Sequence, residues 1–187
     1  MSHMQRFTAA RSAVALLFVA VLAVSALAET PSQSAITHRQ IADQLTDFRS
    51  TASALRREAD TLDSPGSRRV SWQTQSYYLQ NIADHVNDLG RALSELEAMK
   101  PHASEGQQVA IEHARIHLVS VAQNTTRAFE LMKDSRNSVK LPAFVDVVSE
   151  IQMHAEALHT KLDTILDFEG ARVRREALDL SRSTEGS

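Results

Sequence analysis

Apolar residues in the first long segment of the chain, from about residue 35 to residue 62, recur at alternating intervals of four and three. These positions are Ile41, Leu45, Phe48, Ala52, Leu55, Ala59 and Leu62. Such intervals average 3.5 residues, which is typical of an α-helix that packs at a shallow angle against other helices. The sequence Asp-Ser-Pro-Gly at 63–66 then interrupts the pattern. The segment is therefore predicted to be a helix with one buried face.

Three further segments repeat this spacing, and each is predicted to be a helix of about 28 residues, or roughly 42 Å. The segment at about 71–99 carries Trp72, Leu79, Ile82, Val86, Leu89, Leu93 and Leu96, with Gln75 as the one polar residue of its stripe. The third segment carries Ile111, Ala114, Leu118, Val121, Thr125, Ala128 and Met132. The fourth carries Val148, Ile151, Ala155, Leu158, Leu162 and Ile165.

The breaks between these segments favour an antiparallel up-down-up-down four-helix bundle, an all-α fold. Pro65, Pro101 and Pro142 divide the chain into nearly equal lengths, which argues against a single long coiled coil. Because the loops between the segments are short, consecutive helices are expected to lie antiparallel. Ser104 and Gln107 have the spacing of a capping box at the start of the third helix, and Pro142 suits the first position of the fourth.

The first 28 residues have the pattern of an export signal. Arg6 and Arg11 form a positive start, residues 12–28 are apolar or small, and small residues precede a cleavage site after Ala28. The alternative is an uncleaved membrane anchor, but the apolar stretch is shorter than the roughly 20 residues that a spanning helix requires. We therefore expect a periplasmic or secreted protein that begins at Glu29. Residues 29–180 are predicted to form one bundle domain, and 181–187 a polar disordered tail.

Composition limits the classes of function. The chain of 187 residues has no cysteine, which excludes disulfides, thiolate metal sites, c-type haem attachment and cysteine nucleophiles. It has 20 Lys and Arg against 23 Asp and Glu, and loss of Arg6 and Arg11 with the signal brings the formal charge to about −5. No basic stripe is present to bind nucleic acid, and no other apolar run is long enough to span a membrane.

Histidines are the candidate metal ligands. Folding the helices about their loops places His85, His117 and His154 within about a turn of one level near the bundle centre. Imidazoles on neighbouring helices can bind zinc or copper. Since one flank of the third helix faces one neighbour, His117 is expected to meet His85 or His154 but not both. A carboxylate such as Asp84 or Glu150 would have to complete the site. The simpler interpretation, without a metal, is that these histidines lie on the bundle flank and hydrogen-bond nearby acids.

Two other histidine patterns are less specific. His113 and His117 are four residues apart, but Glu112 precedes them in an order that differs from His-Glu-x-x-His. Glu156 and His159 form a single Glu-x-x-His, whereas a di-iron bundle needs two such motifs. No nucleophile motif or glycine-rich phosphate loop is present. The sequence therefore predicts no enzyme and no cofactor.

The end of the fourth helix is the most unusual feature. By the same loop geometry, the first helix begins level with about residue 169, so that some ten residues of the fourth would extend beyond it. Val173, Ala177 and Leu180 continue the apolar stripe there, among Arg172, Arg174 and Arg175. This extension could be covered by the mature N-terminus, be bound by a protein partner or a second copy, or be solvated.

Two functions are compatible with the sequence. The first is an exported, non-catalytic helical bundle that acts by binding, as a scaffold, adaptor or chaperone-like accessory factor. Its partner would be another protein or a homo-oligomer that forms through the C-terminal part of the fourth helix. The second is a periplasmic bundle that binds a metal or small ligand through the mid-bundle histidines. A sensory domain that keeps its N-terminal anchor is a weaker third interpretation.

Overall fold

A computed structural model describes residues 31–134 and 138–185 of the chain. In these ranges the chain forms four α-helices: α1 (Pro31–Asp63), α2 (Trp72–Met99), α3 (Glu105–Asp134) and α4 (Pro142–Glu185). Short 3₁₀ turns at Ser67–Arg69, Lys100–His102 and Ser138–Lys140 lie in the three connections. The predicted export signal lies outside the described residues.

The helices pack in a ring in chain order, and this confirms the all-α four-helix bundle. Each helix contacts its neighbours in sequence, and α1 also packs extensively against α4. The diagonal pair α1 and α3 makes far fewer contacts. This is the arrangement expected when short connections reverse the chain three times. No strand is present in the part of the chain that the structure describes.

The predicted apolar stripes form the core. All seven stripe residues of α1 are buried, and Ile41, Leu45, Ala52 and Leu55 have no exposed surface. On the other helices the buried stripe residues are Leu79, Ile82, Leu89, Leu93, Leu96, Ile111, Ala114, Leu118, Val121, Thr125, Ala128, Val148, Ile151, Ala155, Leu158 and Leu162. Trp72, Val86, Met132 and Ile165 are partly buried and pack against this core. The 3.5-residue spacing therefore predicts which face of each helix is inside.

The one polar residue predicted on the α2 stripe is accommodated by a hydrogen bond. Gln75 is only 2 % exposed, and its Nε2 donates to the backbone oxygen of Ser67 at 2.7 Å. The Ser67 hydroxyl in turn donates to the backbone oxygen of Leu62. Because a buried amide without a partner is costly, this contact explains how glutamine is tolerated in the core.

Two predicted helix starts are confirmed in atomic detail. At α3, Ser104 Oγ accepts from the Gln107 backbone N at 3.2 Å, and Gln107 Oε1 accepts from the Ser104 backbone N at 2.9 Å. This is the reciprocal pair of a capping box. Pro142 is the first residue of α4, where the absence of a backbone N–H has no cost.

Two helix ends differ from the prediction. Helix α1 begins at Pro31 rather than near residue 35. Helix α4 continues to Glu185, so residues 181–185, which we expected to belong to a disordered tail, are helical. No proline or glycine lies between Gly170 and Gly186, and polar residues such as serine and arginine do not by themselves end a helix. No helix in the described ranges is both long and apolar enough to cross a lipid bilayer.

Candidate functional site

Helix α4 is much longer than the other three helices. It contains 44 residues, against 33, 28 and 30 in α1, α2 and α3. It leaves the bundle near Glu169, whose carboxylate lies beside Ser104 at the start of α3. We call residues 171–185 the α4 extension. All of its side chains that the structure describes are exposed, so nothing in the described part of the chain covers it.

The base of the α4 extension is fixed to α3 by polar contacts around Glu169. Ser104 Oγ donates to Glu169 Oε2 at 3.4 Å, and Arg172 donates to the same oxygen at 2.8 Å. The Glu169 side chain lies directly over Gly106, where a Cβ atom would collide with its carboxylate. Arg172 also bonds Glu176 at 3.2 Å. The hydrogen bond that Arg172 donates to Glu169 raises the pKa of the Arg172 guanidinium, which stays charged. These contacts favour continuation of α4 past the end of the bundle.

One face of the α4 extension continues the buried stripe of the bundle. Val173 lies 11 residues, or about three turns, after buried Leu162, and Ala177 follows one turn later. Val173 is nevertheless 57 % exposed. Leu178 is 59 % exposed, but it lies about 140° around the helix from Val173. We call Val173 and Ala177 the stripe face of the extension. The side chain of Leu180, predicted to belong to this stripe, is outside the described set.

The α4 extension has a small positive charge, since residues 171–185 hold four arginines against three acidic residues, a formal charge of +1. Arg172 forms ion pairs with Glu169 and Glu176 of its own helix. Arg174, Arg175 and Arg182 form no ion pair among the described residues, and all three are exposed. The protein as a whole is acidic, with a formal charge of −3. A partly apolar helix end with a slight positive excess therefore projects from an acidic bundle.

The structure brings two of the three predicted metal-binding histidines together. His117 on α3 and His154 on α4 are both half-buried, with Nδ1 atoms 3.4 Å apart and ring centroids 5.7 Å apart. His85 on α2 is half-buried as well. It forms no hydrogen bond or ring contact with either of them among the described residues. This agrees with the expectation that His117 meets only one neighbour.

A third ring that the three-residue prediction did not include lies beside this pair. His113, one turn before His117 on α3, stacks on it with ring centroids 6.4 Å apart and planes at 12°. Burial of the His117 ring, with the nearby His154, His113 and Lys161, lowers the pKa of His117. The neutral form is therefore favoured, and neutral imidazole is the form that binds metals. The four-residue spacing of His113 and His117 was the sequence signal for this contact.

Of the two residues of the Glu-x-x-His motif, Glu156 is paired with an arginine and His159 lies at the surface. Glu156 accepts from Arg56 across the α1–α4 contact at 3.2 Å, and this hydrogen bond is the main cause of the lowered pKa of Glu156. Its Glu-x-x-His partner, His159, lines an open surface depression with Arg49 and Asp163. Within the described ranges, no three His, Cys, Asp or Glu side chains are grouped closely enough to hold a metal ion. The zinc or copper site at His85, His117 and His154 stays a prediction.

The end of the bundle opposite the α4 extension is filled by side chains. Leu62 and Phe144 are buried there, and Trp72 and Met132 pack against the core. The cavity beside them, which Gln75 also lines, measures only about 10 Å³, less than a small organic ligand requires. These residues act as a closing layer of the core.

Comparison with known protein families, curated proteins and solved structures finds no match to this chain.

Proposed function

We propose that this protein is an exported, non-catalytic helical bundle that acts by binding, as a scaffold, adaptor or chaperone-like accessory factor. Its binding surface is the α4 extension. The observation that carries this proposal is that the apolar stripe of α4 continues beyond the bundle while its side chains stay exposed. Export is supported by the signal-like pattern of residues 1–28.

The exposed apolar face, rather than the helix itself, is what favours a partner. The helix can propagate from the preceding turns of α4 without one, but its exposed apolar side chains are stabilised when another surface covers them. The extension contributes about 15 residues, and within the described chain only its base is supported, through Glu169. A partner that covers Val173 and Ala177 would supply the missing contact. Amphipathic helices are commonly recognised in this way, through side chains spaced by three, four and seven residues.

Paired substitutions on the two faces of the extension test this proposal. Replacing Val173 by Asp should weaken association by about tenfold or more, because burying a valine side chain contributes about 1.5–3 kcal/mol. The same change at Leu178 is the matched control, since it is equally exposed but lies on another face. Association is measured by light scattering of the pure protein and by pull-down from an envelope extract. Equal effects of the two variants, or none, would contradict the proposal.

The second candidate function is transition-metal binding at His117 and His154. Its support is the 3.4 Å between their Nδ1 atoms. Two nitrogens bound to one tetrahedral zinc at about 2.0–2.1 Å lie about 3.3 Å apart, so the pair matches two corners of such a site. Water or a ligand from outside the described residues would have to complete it. With only two protein ligands, the affinity would be modest.

Metal content decides whether this second candidate is correct. The full chain, dialysed against zinc or copper at neutral pH, should retain stoichiometric metal and melt at a higher temperature when metal is present. His117→Ala should lose both effects, whereas His85→Ala should retain them because His85 does not contact the pair. Absence of stoichiometric metal in the unchanged protein would exclude the site.

A further inference from the structure

The first turn of α3 contacts both α1 and α4 at the end of the bundle from which the α4 extension projects. Gln107 Nε2 donates to the backbone oxygen of His38 in α1 at 2.9 Å. Ser104, which caps this turn, donates its hydroxyl to Glu169 of α4 at 3.4 Å. The same hydroxyl accepts from the Gln107 backbone N at 3.2 Å. One side chain therefore joins the cap of α3 to the base of the extension.

Glu169 is largely enclosed where it meets this turn. Its side chain is 17 % exposed, the lowest value for any carboxylate in the described ion pairs. Arg172, one turn further along α4, donates to Glu169 Oε2 at 2.8 Å. The pKa of Arg172 is raised first by this hydrogen bond and also by the charge of Glu105 on α3. Carboxylates of both helices therefore stabilise the charge at the base of the extension.

Gly106, in the first turn of α3, leaves the space that the Glu169 side chain fills. A Cβ atom at residue 106 would collide with the Glu169 carboxylate and lie 2.6 Å from its Cγ. The Gly106 backbone is helical and outside the left-handed region, so its conformation does not require glycine. Alanine would form a more stable helix at this position. The contact with Glu169 is therefore the physical reason for a glycine here.

The residue that follows Glu169 is a second glycine, and its surroundings are open. A Cβ atom at Gly170 would meet only the guanidinium end of Arg174, at 3.4 Å. Glycine inside a helix weakens it, because the unfolded backbone gains freedom, and helix bends often occur at glycine. Helix α4 is therefore weakened directly beside the residue that fixes it to α3.

We propose that Glu169, seated over Gly106, is a latch that fixes the direction of the α4 extension and thereby preorganises its stripe face for binding. This rests on the proposed function, since it concerns the same surface. A mobile binding segment loses conformational freedom when it binds, whereas a segment that is already fixed avoids this cost. When the latch opens, α4 bends at Gly170 and the extension samples many directions. A partner then meets the stripe face in the correct orientation less often.

The direction of the extension can be measured with spin labels, since the chain has no cysteine of its own. One label is attached at Ile116→Cys on α3 and the other at Arg182→Cys on the extension, both exposed positions. Counted from the contact between Ser104 and Glu169, the labels are separated by about 25 residues of helical rise, or roughly 38 Å. Double electron–electron resonance should give one narrow distance distribution near this value while the latch is closed.

Gly106→Ala should open the latch without unfolding the bundle, because the flexible Glu169 side chain moves before α3 does. The distance distribution should broaden and shift to shorter distances. Gly90→Ala is the matched control, since a Cβ atom there meets nothing within 4 Å, and it should leave the distribution narrow. Circular dichroism checks that both variants fold. In chains without labels, Gly106→Ala should weaken association by about threefold to tenfold, measured by light scattering and pull-down.

Glu169→Ala distinguishes the latch from other effects of the glycine. It should broaden the distribution as Gly106→Ala does, and the two changes together should broaden it no further. Additional broadening in the double variant, or a narrow distribution in Gly106→Ala, would overturn the latch. Broadening with unchanged association would overturn its role in binding. If the unchanged chain neither associates nor captures a partner, the proposed function fails, and the distances still decide whether the latch exists.

Discussion

Replacing Leu89 or Leu118 by alanine is expected to lower the free energy of unfolding by about 2–5 kcal/mol, the range of other large-to-small changes in cores. Leu89 has no exposed surface, and Leu118 is 4 % exposed. Each lies on the apolar stripe of its helix and belongs to the core cluster shared by all four helices. The change removes buried methyl groups and leaves a cavity that the surrounding helices can close only in part.

Thermal or denaturant unfolding measures this loss. In a domain of this size, each kcal/mol corresponds to about 2–4 °C in melting temperature. Leu178→Ala is the control, because the same change is made at a side chain that is 59 % exposed. It should alter stability by no more than about 0.5 kcal/mol. A core variant that behaved like this control would show that the predicted face of its helix is not the buried one.

The sequence predicts the core well because the helical repeat ties a residue's position to its orientation. Once the spacing of α1 is known, the direction of Phe48 follows from that of Leu45 and Ala52, and all three are buried. The start of α3 is equally local, since Ser104 and Gln107 make their hydrogen bonds within one turn. Information of this kind lies in a few consecutive residues, so no knowledge of the other helices is needed.

Contacts between helices were predicted less completely. The spacing places His85, His117 and His154 on flanks at similar depth, but it does not decide which flanks adjoin. That choice depends on the order of helices around the bundle, and the structure pairs His117 with His154. The contact of Glu169 with Gly106 had no sequence signal. Two residues more than 60 positions apart, one of them glycine, form no periodic pattern.

The length of α4 was predicted only in part. Val173 and Ala177 indicated that the helix passes the end of the bundle, and the structure confirms this. Its last five residues were assigned to a tail because they are polar and carry no apolar stripe. Helix formation there is local and needs no buried face, since α4 already provides the preceding turns and each further residue adds one hydrogen bond.

Ending the chain after Glu169 is expected to abolish association while leaving the bundle folded. The truncation removes Arg172 and with it one of the hydrogen bonds to Glu169, but no residue after Glu169 belongs to the core cluster. Far-UV circular dichroism should show a helical protein. The melting temperature at low concentration should change by no more than a few degrees, because the side chains lost from the described part of the extension are all exposed.

The central claim is that the α4 extension is the surface through which this protein binds, and the molar mass in solution tests it most directly. Light scattering should give a mass above that of one chain for the full-length protein as its concentration rises. The chain truncated after Glu169 should give the mass of one chain throughout. The truncated chain should also fail to capture any partner from an envelope extract. Association or capture that survives truncation in a folded bundle would contradict the claim and place binding elsewhere on the four helices.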